Sequence, residues 1–239
     1  MAPNAEQDDD ASIMPRHLLA PYAAVVVATA LMLASGDANA QASSNPNINA
    51  QLLIAARQAD VARATRLLSE GAAANSRNRL GKTALLLACE KGNLPLADLM
   101  LRSGADIAMA SVEGVTPLMA ASYSGNAELV KRLLAAGART DPVDRMSKTA
   151  IVYAAGEGHA AAVEALLASA IDVDAAYEHG LTVLMWAAGQ GHGSVVRMLL
   201  ARGAKVGLRD DRGMTAFDIA RQTQHPEVAS MLASSSAAG

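Results

Sequence analysis

Residues 114–126 read Gly114-Val115-Thr116-Pro117-Leu118-Met119-Ala120-Ala121-Ser122-Tyr123-Ser124-Gly125-Asn126. Thr116 suits a helix N-cap, because its hydroxyl can accept from an otherwise unpaired amide of the first turn. Pro117 fits the first helical position, where no N–H is needed. Leu118 and Ala121 lie three residues apart and so share one helix face. Gly125 suits the left-handed cap that ends such a helix. The predicted helix is about two turns long, too short to hold in water by itself. Its stability must come from neighbours.

Those neighbours are copies of itself. Threonines stand at Thr83, Thr116, Thr149, Thr182 and Thr215, a constant spacing of 33 residues. Two residues after each comes an apolar anchor: Leu85, Leu118, Ile151, Leu184 and Phe217. Five after comes alanine every time: Ala88, Ala121, Ala154, Ala187 and Ala220. Alanine on that face lets the adjoining helix approach closely. Nine after comes Gly92, Gly125, Gly158 and Gly191, with Gln224 breaking the series. Asn93, Asn126, His159 and His192 then lead into a second helix, sealed by apolar pairs such as Leu133-Leu134 and Leu199-Leu200. Each buried leucine contributes about 1.5–3 kcal/mol. A fixed period of this size implies a stacked array, in which one unit alone cannot cover its apolar face.

Thr116-Pro117-Leu118-Met119-Ala120-Ala121 and Gly191-His192 resemble the Thr-Pro-Leu-His-Leu-Ala-Ala and Gly-His signatures of the ankyrin repeat. Gly104-Ala105-Asp106, Gly137-Ala138 and Gly203-Ala204 resemble its closing turn. The resemblance covers residues 49–233, in units of about 49–80, 81–113, 114–146, 147–179, 180–212 and 213–233. It implies an all-α solenoid of about six units, two of them caps. Antiparallel helix pairs, hairpin-like fingers and a concave binding face come with it. The histidine of the family's first signature is absent: Leu86, Met119, Val152, Met185 and Asp218 stand there, which puts its hydrogen bonding between units in doubt. Ala170 replaces the closing glycine of the fourth unit, so either a strained left-handed alanine or a reshaped turn is expected.

Residues 1–40 stand apart. Met14-Pro15-Arg16-His17 is a short positive stretch, Leu18 to Ala34 is almost wholly apolar, and Ala38-Asn39-Ala40 matches a small-residue cleavage pattern before Gln41. This is the pattern of a bacterial export signal, so a periplasmic location is expected. Asp8-Asp9-Asp10 is foreign to such a signal, which favours Met14 as the true start. The alternative is an inner-membrane anchor over residues 18–34, marginal in length for a span and interrupted by Pro21. Residues 41–48 read as a polar linker and 234–239 as a disordered tail.

Of the 20 Lys and Arg, one precedes residue 41; of the 23 Asp and Glu, five do. The exported chain is thus close to neutral and lacks the clustered basic surface that nucleic acid requires. The lone Cys89 sits in a small-residue slot equivalent to Ser122, Ala155 and Ala188 and reads as a buried small hydrophobe. His159 and His192 read as helix-start residues of the repeat. No acid or cysteine has zinc-ligand spacing with them. Asp172 and Asp174 lie in a turn, where acids are usually solvated turn formers. No phosphate loop or nucleophile elbow is present. No catalytic, cofactor or metal residue is assigned, and no small-molecule substrate is expected.

What the resemblance does assign is a protein-binding surface. On its fingers it places Arg79, Leu80, Lys82, Val112, Glu113, Val115, Arg145, Met146, Lys148, Glu178, His179, Leu181, Arg212 and Met214. At the ends of the first helices it places Glu90, Lys91, Tyr123, Ser124, Glu157 and Gln190. Solvated turns prefer Gly, Asn, Asp and Ser, yet Leu80, Val112, Val115, Met146, Leu181 and Met214 form an apolar line flanked by charge. That line is either an interface with a polar rim or padding between fingers. Tyr123, Tyr153 and Trp186 fall on successive first helices, as interface anchors or as fillers beside the alanines. The chain therefore reads as a non-catalytic periplasmic scaffold that binds another protein. An immunity-type inhibitor of an envelope-acting toxin, or a membrane-tethered adaptor if the signal is uncleaved, are the alternatives.

Overall fold

A computed structural model of the chain describes residues 46–236. The expected signal, most of the expected linker and residues 237–239 lie outside the described residues. Six helix pairs follow in order: α1 Pro46–Arg57 and α2 Val61–Ser69; α3 Ala84–Glu90 and α4 Leu94–Arg102; α5 Pro117–Ser124 and α6 Ala127–Ala135; α7 Ala150–Gly156 and α8 Ala160–Leu167; α9 Val183–Gly189 and α10 Gly193–Ala201; α11 Ala216–Gln222 and α12 Pro226–Ser236. Each first helix packs on its own second helix and on the first helices of adjoining pairs, and the second helices stack likewise. Two helical layers result, and the core runs unbroken between them. This is the all-helical solenoid that the 33-residue spacing predicts.

The caps form as the sequence dictates. Thr83, Thr116, Thr182 and Thr215 accept from the amides of Leu86, Met119, Met185 and Asp218 at 3.2–3.3 Å. Thr149 keeps the extended N-cap backbone, but its hydroxyl makes no bond to the helix. Asn93 and Asn126 cap second helices by accepting from Leu96 and Leu129. The periodic side chains form ladders through the array. Leu52, Leu85, Leu118, Ile151 and Leu184 make one; Leu67, Met100, Leu133, Leu166, Leu199 and Leu232 make another; all are buried. Ala88, Ala121, Ala154, Ala187 and Ala220 between them are fully buried.

Two sequence readings are corrected at the ends. The first helix enters at Pro46, inside the stretch read as linker, and Asn49 Oδ1 accepts from the Ala73 amide at 2.8 Å to hold the start of the first loop between pairs. The last helix runs to Ser236, three residues into the stretch read as tail, because Ser234 and Ser235 donate to the carbonyls of Ser230 and Met231 rather than breaking the turn.

Ala170 keeps the left-handed conformation of the glycine it replaces, with φ 60°. A Cβ in that region costs about 1 kcal/mol. Ala170→Gly removes the strain but loosens the unfolded chain, so a net gain of about 0.5 kcal/mol is expected, visible as a raised midpoint in urea unfolding.

Candidate protein-binding face

Five loops between the pairs carry the fingers. Each is closed by one backbone bond in the same register: the amides of Asn78, Ser111, Asp144, Tyr177 and Asp210 donate to the carbonyls of Lys82, Val115, Lys148, Leu181 and Met214 at 2.9–3.1 Å. In four of the five the side chain of that residue also braces the tip. Asn78 accepts from the amides of Leu80 and Lys82, Ser111 from Val115, Asp144 from Met146 and Lys148, and Asp210 from Arg212 and Met214. These bracing residues escaped the sequence reading. Their signal was available, three residues before Gly81, Gly114, Ser147, Gly180 and Gly213.

Tyr177 is the exception. Its phenol has no short acceptor to fold back with, and its ring packs on the core instead. Burial pushes its hydroxyl pKa above the ordinary tyrosine value. The difference carries over to the bonds between fingers. The Val112 amide donates to Leu80 O, Arg145 to Glu113 O and Asp211 to His179 O, at 2.9–3.0 Å. The equivalent bond from Glu178 to Met146 is not made among the described residues.

Bonds between units also come from the residue after each capping glycine. Asn126 Nδ2 donates to Gly92 O at 2.8 Å, His159 Nε2 lies 3.0 Å from Tyr123 O, and His192 Nε2 lies 2.8 Å from Gly156 O. The network put in doubt by the missing signature histidine is thus supplied from the next helix. Both histidines are engaged with carbonyls, as their reading as repeat residues requires. No group of three His, Cys, Asp or Glu able to hold a metal occurs among the described residues. Cys89 is fully buried, and burial, with Glu90 adding, pushes its thiol far above the ordinary range.

The apolar line of the fingers divides in two. Leu80, Val112 and Met146 are exposed at 60%, 53% and 61%. Val115, Leu181 and Met214 are half-buried and packed against the core, which leaves less of each side chain for a partner. The reason is their place immediately before the N-cap threonine. An apolar residue there staples back onto the helix it introduces. The exposed three sit two residues or more further out on the tip.

Leu80, Lys82, Val112, Glu113 and Arg145 converge on one depression of about 180 Å³ formed with Ser111. Lys82 Nζ meets Glu90 Oε1 at 2.6 Å behind it. Further along, the rings of Tyr123 and Tyr153 pack edge to face with centroids 6.0 Å apart. Tyr123 is 53% exposed, so it faces solvent rather than filling the core. Tyr153 is half-buried and donates its hydroxyl to Asp144 Oδ2. Burial first, and that bond second, raise its pKa far above the tyrosine value. Lys148 Nζ lies 5.5 Å from the Tyr153 ring centre and 5.2 Å from that of Trp186.

The remaining assigned residues are scattered. Arg79, Lys91, Glu157 and Gln190 are exposed, and Ser124 is half-buried with its hydroxyl on Ala121 O. His179 and Glu178 pair loosely at 3.9 Å, and Arg212 folds onto Asp210 of its own finger at 2.7 Å. The exposed apolar side chains of the fingers thus lie on the first three. No described helix is long and apolar enough to cross a membrane.

A family model described as ankyrin repeats (3 copies) matches the chain at residues 52–144, 96–177, 122–210 and 171–238. No curated protein matches it.

Proposed function

This chain belongs to the ankyrin-repeat family, whose members are generally protein–protein interaction modules and typically non-catalytic, and from that premise we propose that it is an exported scaffold holding a partner protein in the bacterial periplasm. The observation that carries the proposal is the exposure of Leu80, Val112 and Met146 on adjoining finger tips. Exposed turns seldom carry large apolar side chains, and three together rimmed by Arg79, Glu113 and Arg145 have the make-up of an interface. Tyr123 adds the aromatic type that often anchors one. Export rests on the signal pattern of residues 14–40. Mass spectrometry of the envelope protein separates the two fates of that segment: a mature chain starting at Gln41 is released, and an intact one is tethered.

The test is capture from envelope extract by the wild type and by a Leu80/Val112/Met146→Asp variant. Because Val115, Leu181 and Met214 are core-packed, they are left intact so that the variant folds. The expected result is loss of the specific partner by tenfold or more, with the thermal midpoint moved by less than about 3 °C, as for surface substitutions within about 0.5 kcal/mol. A folded variant that retains every partner overturns the assignment.

A further inference from the structure

Lysine occupies the position before the N-cap threonine twice, at Lys82 and Lys148. The two lysines have different surroundings. Lys82 meets a carboxylate of its own chain, Glu90, eight residues on at the end of α3, at 2.6 Å. Eight residues beyond Lys148 stands Gly156, the last residue of α7, and a Cβ built there meets nothing within 4 Å. The slot that Glu90 fills beside Lys82 is open beside Lys148.

No carboxylate of the described residues lies within ion-pair distance of the Lys148 ammonium. Asp144 of the same finger is occupied, taking the Met146 and Lys148 amides on Oδ1 and the Tyr153 hydroxyl on Oδ2. Glu113 projects from the preceding finger and is exposed, without an ion pair to the lysine. The ammonium instead rests over the rings of Tyr153 and Trp186. Such contacts hold a cation in place for about 0.5–2 kcal/mol but leave its charge uncompensated. A half-buried, pre-positioned ammonium is where a charge-assisted hydrogen bond to an anion gains most, since little side-chain freedom remains to be lost.

We propose that this slot takes an aspartate or glutamate side chain of the partner protein, which completes with Lys148 the ion pair that Lys82 and Glu90 make within the chain. The proposal rests on the scaffold reading and specifies its partner. The occupant is protein because the exposed Tyr123 packs on Tyr153, whose ring lies under the Lys148 ammonium, and the exposed Met146 stands two residues before Lys148 on the same finger. A carboxylate arriving there must be carried by a chain that also covers apolar surface.

The experiment uses a displayed library of random peptides, each flanked on both sides by display-protein sequence so that no free C-terminal carboxylate is offered. It is selected on the wild-type protein. Enriched peptides are then measured against Lys148→Met, Gly156→Glu and Gly156→Gln. The expected result is a shared Asp or Glu among enriched peptides. Its amide counterpart, and Lys148→Met, should each weaken binding about tenfold. Gly156→Glu restores the internal pair and should compete to a similar extent, whereas the isosteric Gly156→Gln should cost less than about threefold. Enriched peptides without a shared acid, or binding indifferent to both Lys148→Met and the charge at 156, overturn the proposal. A natural partner lost with the finger-tip variant but kept by Lys148→Met overturns the carboxylate slot and leaves the scaffold standing. A partner kept by both overturns the carboxylate slot and the finger-tip face together.

Discussion

Replacing Gly125 by alanine is expected to lower stability by about 3 kcal/mol, and adding His159→Asn to restore about half of that. Gly125 caps α5 at φ 74°, where a Cβ costs about 1–2 kcal/mol. The second part of the loss arises where a histidine follows one unit on, as it does also at Gly158 with His192 and at Gly191 with His225. A Cβ at Gly125 falls 2.5–2.6 Å from three atoms of the His159 ring. The ring must swing away and give up its bond to Tyr123 O, worth about 0.5–1.5 kcal/mol. Gly92 supplies the control within the same molecule. It has the same role at φ 61°, but its neighbour one unit on is Asn126, and the nearest atoms to a built Cβ lie at 3.4–3.6 Å. Gly92→Ala should therefore cost only about 1 kcal/mol, from the backbone alone. His159→Asn copies the Asn126 arrangement, in which Nδ2 donates to Gly92 O at 2.8 Å. Urea midpoints of the single and double variants check all three numbers. Equal costs at Gly92 and Gly125 would mean that the histidine ring does not pack as described.

Leu133→Ala is expected to cost about 3–4 kcal/mol, the range for a fully enclosed leucine whose cavity cannot collapse. Leu133 has no exposed surface and lies in α6, the third of six rungs of the second-helix ladder. Helices α4 and α8 pack on either side of it. In a linear array stability is a sum of unit and nearest-neighbour terms. A cavity at an inner rung weakens two junctions at once, whereas one at Leu232 in α12 touches a terminal unit with a single neighbour. Leu133→Ala should therefore broaden or split the unfolding transition, and Leu232→Ala should leave it single with about half the loss. Coincidence of circular dichroism and Trp186 fluorescence transitions is the measurement. Identical curves for the two variants would contradict a nearest-neighbour array.

The helices, their caps and the two leucine ladders could be read from the sequence because each depends on residues within one period. Thr116 caps α5 through the amide three residues on, and Leu118 and Ala121 share a face whatever lies elsewhere. The ends were harder. Pro46-Asn47-Ile48 looks like linker, and it takes the packing of Ile48 on the core and the bond from the Ala73 amide to Asn49, 24 residues away, to show that the helix is already engaged there. The finger residues were hard to tell apart for a similar reason. Val112 and Val115 look alike as apolar finger residues, but one projects and the other staples. Which does which depends on the distance to Thr116. The setting of Lys148 was out of reach altogether, since its walls Tyr153 and Trp186 lie 5 and 38 residues along the chain and meet only by stacking.

The single tyrosine among the bracing residues has a mechanical result. Backbone bonds stitch fingers one to three into one strip and fingers four and five into another, and no stitch joins Met146 to Glu178. At that seam the helices, α7 on α9 and α6 on α8, keep the strips in line. A ligand lying across the seam grips two short rulers joined by a pliable joint, and its fit depends on the angle between them.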